Sequence, residues 1–241
     1  MGDFVKKIFT LITASAFALI INLNTALIAA EKSMSAGVIY NSTSFEATGN
    51  QTDLLQHGTQ VINKSVSNDE NYPSIFLEYN VVGESGFGMS YGFELVPGTT
   101  TFASESRTDV NAASDDDDDA GVYRGEASIK NPKSLYIEPT FMFTEGLGMF
   151  LKTGVSHVTF QDGGSKGNRK SDYGEKNVLG GMYGLGAKYN HSSGFFVKAE
   201  GVMTKWQAFK VTPAPLAGNL QESIEVNPEQ KSIRLAIGMA F

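Results

Sequence analysis

The stretch GFGMSYGFEL, residues 86–95, alternates strictly. Phe87, Met89, Tyr91, Phe93 and Leu95 share one face of an extended chain, and Gly88, Ser90, Gly92 and Glu94 share the other. A half-buried strand of a water-soluble protein turns polar side chains toward solvent, and glycine is a poor occupant of such positions. A second face made almost wholly of small residues asks for a narrower environment than water.

The same period recurs along the chain, and no helical period follows residue 30. Residues 36–48 read as a first, irregular strand whose facing the pattern leaves open. Residues 74–82 set Ile75, Leu77, Tyr79 and Val81 against Phe76, Glu78 and Asn80, and 83–86 turn the chain into the strand quoted above. Residues 134–143 set Leu135, Ile137, Pro139, Phe141 and Phe143 against Tyr136, Glu138, Thr140 and Met142. Pro139 is a blemish there, because proline removes a ladder donor and belongs at edges or bulges. After the turn 144–146, residues 147–160 oppose Leu147, Met149, Leu151 and Val155 to Gly148, Phe150, Lys152 and Gly154. Residues 178–189 and 195–206 form the next pair across the turn 190–194, and 231–241 form the last strand, giving eight.

The connections 49–73, 97–133, 161–177 and 207–230 are long and polar, and the three between them are short. An up-and-down meander with every second link long puts all the long loops at one end, and an even strand number returns both termini to the other. The fold class read from this is all-β, an eight-stranded antiparallel up-and-down transmembrane barrel.

Four features set the apolar face outward. The opposite face holds Gly88, Gly92, Gly148, Gly154, Gly180, Gly184, Gly186 and Gly238, as the tight interior of an eight-stranded barrel requires. Its charges match in sign, with Glu78, Glu94, Glu138 and Glu200 against Lys152, Lys188, Lys198 and Arg234, so a narrow lumen would pair them. Phe87, Phe143, Tyr189, Phe195 and Phe241 gather on the apolar face beside the short turns, in the manner of an interfacial girdle. Strands of about nine to eleven residues suit a tilted bilayer crossing, and closure removes the edges that hydrocarbon forbids.

Residues 1–30 read as a secretory signal peptide: Lys6 and Lys7, the apolar run 8–21, then small residues ending at Ala29 and Ala30. Asn22 and Asn24 interrupt the run too early for a membrane anchor. Residues 31–241 are then one barrel domain. Removing Lys6, Lys7 and Asp3 from 19 basic and 26 acidic residues leaves 17 against 25, a balance of −8 that disfavours nucleic acid as a partner. Cysteine is absent, which excludes disulfides and thiolate metal sites.

The final strand, SIRLAIGMAF, resembles the carboxy-terminal assembly signal of bacterial outer-membrane proteins, with Ile233, Leu235, Ile237, Met239 and the terminal Phe241 in alternation. Over about residues 36–241 the chain is similar to eight-stranded outer-membrane barrels of the opacity-protein and outer-membrane-protein-A type. The resemblance implies a place in the bacterial outer membrane among lipid and lipopolysaccharide. It also implies insertion by the outer-membrane assembly machinery, with that strand as the segment recognised. The ragged first strand, Pro139 and the long outer loops depart from the smallest members.

Remaining motifs carry less. In DDDDDAGVYRGE, residues 115–126, Asp115, Asp117, Asp119 and Glu126 match calcium-loop positions, but Ala120 stands where the sharp turn needs glycine, so the run reads as a solvated acidic loop. The loop 162–176 is basic, with Lys166, Arg169, Lys170 and Lys176, and suits either lipopolysaccharide phosphates or plain solvent. His57, His157 and His191 match no metal spacing, and neither metal nor cofactor is expected. Some barrels of this kind are lipid hydrolases with a histidine and a serine at the outer rim. His157 and Thr159 stand there by parity, but threonine replaces poorly and no acid accompanies them, so no enzyme is expected. His191 reads as solvated. Trp206 faces the lumen by strict parity, although tryptophan favours the interface, and the reading leans to an interfacial anchor.

A sign-balanced lumen crowded by Phe76, Tyr136, Phe150 and Phe196 leaves little room for solute. The expected role is a plugged surface protein that acts through its outer loops, in adhesion, recognition or envelope integrity. The small inward glycines keep a narrow channel for small solutes as the alternative. No extracellular ligand can be read from the loops.

Overall fold

The computed structural model describes residues 31–55, 58–83, 85–109, 121–162, 174–212 and 222–241, and the expected signal peptide lies outside them. Every regular element among them is a strand: β1 (Glu31–Leu55), β2 (Gly58–Val82), β3 (Phe87–Leu95), β4 (Thr99–Asp109), β5 (Gly121–Met142), β6 (Leu147–Asp162), β7 (Glu175–Asn190), β8 (Phe195–Trp206), β9 (Phe209–Val211) and β10 (Glu222–Ala240). β1, β2, β3, β5, β6, β7, β8 and β10 pair antiparallel in that order, and β10 pairs back to β1, closing an eight-membered ring. β4 extends the line of β3 along the outer part of β5, and β9 lies against the outer end of β10.

The ladder fixes the barrel's dimensions. Followed once round the ring, it leads from Ser35 through Glu78, Gly92, Tyr136, Gly154, Met182, Thr204 and Gln230 to Phe45, ten positions further along β1. Eight strands with that stagger tilt by about 40° and stand about 8 Å from the axis, room for side chains and little else. Each step round the ring in this direction therefore rises by about 3 Å toward the long-connection end.

The short turns are built by local chemistry. Gly86 (φ 78°) and Gly194 (φ 86°) occupy the left-handed region that lets two strands reverse so tightly. In the short turn between β5 and β6 Thr144 Oγ1 accepts from the Leu147 amide at 3.0 Å. The seam closes at the carboxy terminus, where Met34 and Phe241 exchange backbone bonds of 3.0 and 2.8 Å.

Several expectations are corrected. Among the described residues the connections 49–73, 97–133 and 207–230 are mostly sheet, because β1 and β2 run on to a hairpin at Leu55 and Gly58, β4 pairs with an extended β5, and β10 begins at Glu222. Beyond the membrane both faces of a strand meet water, so the sequence loses its period of two while the backbone ladder persists. Residues 121–126, expected in an acidic loop, belong to β5, and Asp115–Asp119 lie outside the described residues. Pro139 marks neither an edge nor a bulge. The β5–β6 register is the same on both sides of it, and the ladder merely skips the pairs at Glu138 and Pro139. The true irregularity falls between Lys130 and Lys133, where Asn131 adopts φ 45°.

Candidate functional site

The outer wall carries the large apolar side chains. Val38 and Tyr40 settle the facing of β1, since both are exposed while Ile39 and Asn41 are buried. Leu77, Leu135, Leu151, Leu185 and Ile233 stand out from the wall, with Ile233 77% exposed. Water would not tolerate so continuous a belt, and hydrocarbon requires it. At the short-turn end Phe87, Phe141 and Phe143 form an exposed aromatic row with ring centres 5.8 and 5.3 Å apart, and Tyr189, Phe195 and Phe241 continue it round the rim. Met89 departs from its parity: it is 3% exposed beside its ladder partner Val81, which is also buried.

The inner wall is layered. Nearest the short turns, the eight charged residues singled out in the sequence all point inward, and seven of them are buried and joined in one chain. Glu94 binds Arg234, and Arg234 Nε lies 3.3 Å from Glu200. Glu200 meets Lys152 at 2.6 Å, Lys152 meets Glu138 at 3.5 Å, and Lys198 bridges Glu138 and Glu78 at 2.6 Å each. Tyr136 Oη and Ser35 Oγ donate to Glu78 at 2.8 and 3.3 Å, and Ser74 Oγ donates to Glu94 at 2.7 Å. Lys188, half-buried at the short-turn mouth, is not in the chain; its ammonium sits 4.5 Å above the Phe196 ring. Four carboxylates thus face four cations in a volume where an unmatched charge is costly to desolvate.

The glycines make that lattice possible. A methyl group on Gly92 would strike the Tyr136 ring, and one on Gly186 would come 2.5 Å from the Phe150 ring. Both rings brace the cations: Lys152 Nζ lies 4.4 Å from the Tyr136 centre and Lys198 Nζ 5.2 Å from the Phe150 centre.

Above the charges comes a neutral hydrogen-bonded layer. Asn41 donates to Ser74 at 3.1 Å, the Thr43 and Ser232 hydroxyls lie 2.8 Å apart, and Gln230 donates to Tyr72 Oη at 2.7 Å. At the long-connection end Phe45, Tyr72, Phe102, Ile129, Phe160 and Trp206 close the lumen with an apolar plug, its rings at edge-to-face distances such as 5.2 Å for Phe102–Phe160 and 5.8 Å for Phe160–Trp206. Sequence reasoning missed this plug. Trp206, expected at the interface, is 6% exposed within it, and parity along β8 was the signal that should have prevailed. Among the described residues its indole N–H has no acceptor.

The remaining candidates do not assemble. His157 pairs across the ladder with Lys133 and Leu179, and Thr159 Oγ1 donates to Asn177 at 2.7 Å, so no nucleophile–base pair forms. His191 orders its turn, with Nδ1 2.9 Å from Ser193 Oγ. No cluster of three or more possible metal ligands occurs among the described residues. His57, Lys166, Arg169 and Lys170 lie outside them, and Lys176 is in β7.

No protein-family model and no curated protein sequence matches the chain. Solved structures do. OprG of Pseudomonas aeruginosa, an outer-membrane protein, is 16% identical over 85% of this chain and 97% of its own, with a TM-score of 0.45. The outer-membrane protease OmpT of Escherichia coli is 9% identical over 87% and 97%, with a TM-score of 0.45. Ail, the attachment invasion locus protein of Yersinia pestis, solved with a heparin analogue, is 12% identical over 85% and 98%, with a TM-score of 0.38. The closed ladder of this chain, rather than these distant likenesses, establishes its fold.

Proposed function

We propose that this chain, an eight-stranded transmembrane β-barrel, is a surface protein of the bacterial outer membrane whose lumen is a plugged core and whose activity lies in its outer extensions, through adhesion, recognition or support of the envelope. The observation that carries the reading is double closure. A neutralised charge lattice fills the inner half of the barrel, and an apolar aromatic layer seals the outer half. A pore for ions needs a continuous wet path, and neither layer offers one.

Among the described residues the outward extensions are largely sheet. The β1–β2 hairpin and β10 carry the ladder well past the apolar belt, and Asn68 of β2 donates to the Thr101 carbonyl of β4 at 3.1 Å. Such extensions present a fixed surface at low entropic cost to a binding partner. Residues 1–30 as a signal peptide, and Ile233, Leu235, Ile237, Met239 and Phe241 as the segment read by the assembly machinery, complete the proposal. Backbone bonds between Phe241 and Met34 hold that segment in the seam that closes the barrel. An enzymatic role has no catalytic geometry behind it among the described residues.

Purified protein in planar bilayers tests the plug. The proposal expects no reproducible conductance steps. Steady unitary currents would replace it with the narrow-channel reading.

A further inference from the structure

A groove breaks the lipid-facing wall. It runs across the five adjacent strands β2, β1, β10, β8 and β7 and has a volume of about 600 Å³. Its floor is Gly201, where an added side-chain carbon would meet no atom within 4 Å, while Leu185 and Ile233 on either side of it in the ladder stand out as ridges.

The groove changes character along its length. One ladder row reads Leu185, Gly201, Ile233, Ser42, Asn71, and the next toward the outer end reads Tyr183, Met203, Lys231, Ser44, Asp69. Both rows climb about 3 Å per strand toward the outer end, because of the stagger of the barrel. The groove is therefore apolar at bilayer depth and polar where it reaches the outer interface, which is the polarity of a single amphiphile lying tail-down. A second barrel seated here would meet polar side chains over the upper half of the contact.

The mouth also discriminates among heads. Lys231 is already held by Glu46 at 2.8 Å and Glu229 at 3.3 Å, and Asp69 adds further negative charge. A head whose main polar group is one phosphate is disfavoured there. Sugar hydroxyls, which donate to carboxylates and accept from the Ser42 and Ser44 hydroxyls and the Asn71 amide, are suited. We propose that this groove binds a glycolipid of the outer leaflet, with one acyl chain lying over Gly201 and its sugar head against Ser42, Ser44, Asn71 and Asp69. The inference rests on the membrane-facing reading of the wall.

Native mass spectrometry of the purified protein in mild detergent, with monophosphoryl lipid A or dioleoylphosphatidylethanolamine added, is the test. Gly201→Leu fills the floor, and Ala199→Leu adds the same side chain to the exposed wall outside the groove. Retained fold is checked for both by the mobility difference between heated and unheated protein in gels. The expected result is one retained lipid A molecule on the wild type and on Ala199→Leu, with at least a tenfold loss on Gly201→Leu and little retention of the phospholipid. Equal retention by Gly201→Leu overturns the site, equal retention of both lipids overturns the glycolipid assignment, and a wild-type dimer abolished by Gly201→Leu gives the groove to a second copy. A protein that stays soluble and monodisperse without detergent would instead overturn the membrane reading beneath the proposal.

Discussion

Replacing Lys198 by methionine keeps the volume and deletes the charge at the junction of the lattice. Lys198 is 2% exposed and holds Glu78 and Glu138 at 2.6 Å each. At an effective dielectric constant of about 20 each of these pairs is worth about 6 kcal/mol of Coulomb energy, most of it offset by the cost of removing the ions from water. The substitution removes the attraction and leaves the carboxylate desolvation in place. Glu78 then retains only neutral donors, Tyr136 and Ser35, and Glu138 retains Lys152 at 3.5 Å. The expected loss is about 3–5 kcal/mol. Changing Glu78 and Glu138 to glutamine as well should restore all but about 1–2 kcal/mol, because within the chain Glu94 and Glu200 still balance Arg234 and Lys152, and Lys188 is only half-buried at the mouth, within reach of solvent. Urea unfolding from preformed lipid vesicles, followed by the fluorescence of the single tryptophan, reads both variants. A loss below about 1 kcal/mol for the single change, or a triple variant no better than the single one, would refute the view that desolvated pairing governs the lumen.

Other outcomes follow from the same structure. Tyr136→Phe deletes one donor to a buried carboxylate and should cost about 1.5–3 kcal/mol in the same unfolding assay, with the Glu94–Arg234 end of the lattice unchanged in spectra. At the outer rim, burial pushes the Glu229 carboxyl up but the hydrogen bonds from Lys205 and Lys231 outweigh it, leaving it below its ordinary value. Its contribution to stability is therefore present above the usual carboxylate range and lost as pH falls through the lowered folded value. A carbon-13 titration of its carboxyl should show a depressed midpoint that returns toward normal in Lys205→Gln. Deleting Phe241 removes both backbone bonds to Met34 and the last apolar residue of the seam. The amount of folded protein recovered from the outer membrane should drop several-fold, whereas refolding into detergent in vitro should be far less affected if the residue acts in recognition.

What the sequence made legible follows the environments the chain passes through. Within the bilayer each strand separates lipid from lumen, so side-chain character must switch at every residue, and the eight spans with their inward charges could be read from residues such as Leu151 against Lys152 and Leu235 against Arg234. Which charge pairs with which was not readable, because Glu78 and Lys198 lie 120 residues apart and meet only through closure and stagger. The outer halves of β1, β2, β5 and β10 were illegible for the opposite reason: water lies on both sides, and Asn, Ser, Asp and Glu serve either face. The aromatic plug fell between these regimes. Phe102 and Ile129 sit in a polar stretch that resembled a loop, Phe45 in a strand whose facing the pattern left open, and their common destination appears only when the ring closes around them.

Everything in this structure turns on whether the apolar wall faces hydrocarbon. The chain has no cysteine, so single cysteines at Leu151 and Leu185, both well exposed on that wall, can carry nitroxide labels without background. In lipid vesicles the account predicts strong relaxation by dissolved oxygen and almost none by a water-soluble nickel chelate at both sites, with the reverse at Ser104 on β4. Nickel relaxation at Leu151 and Leu185 as strong as at Ser104 would contradict it.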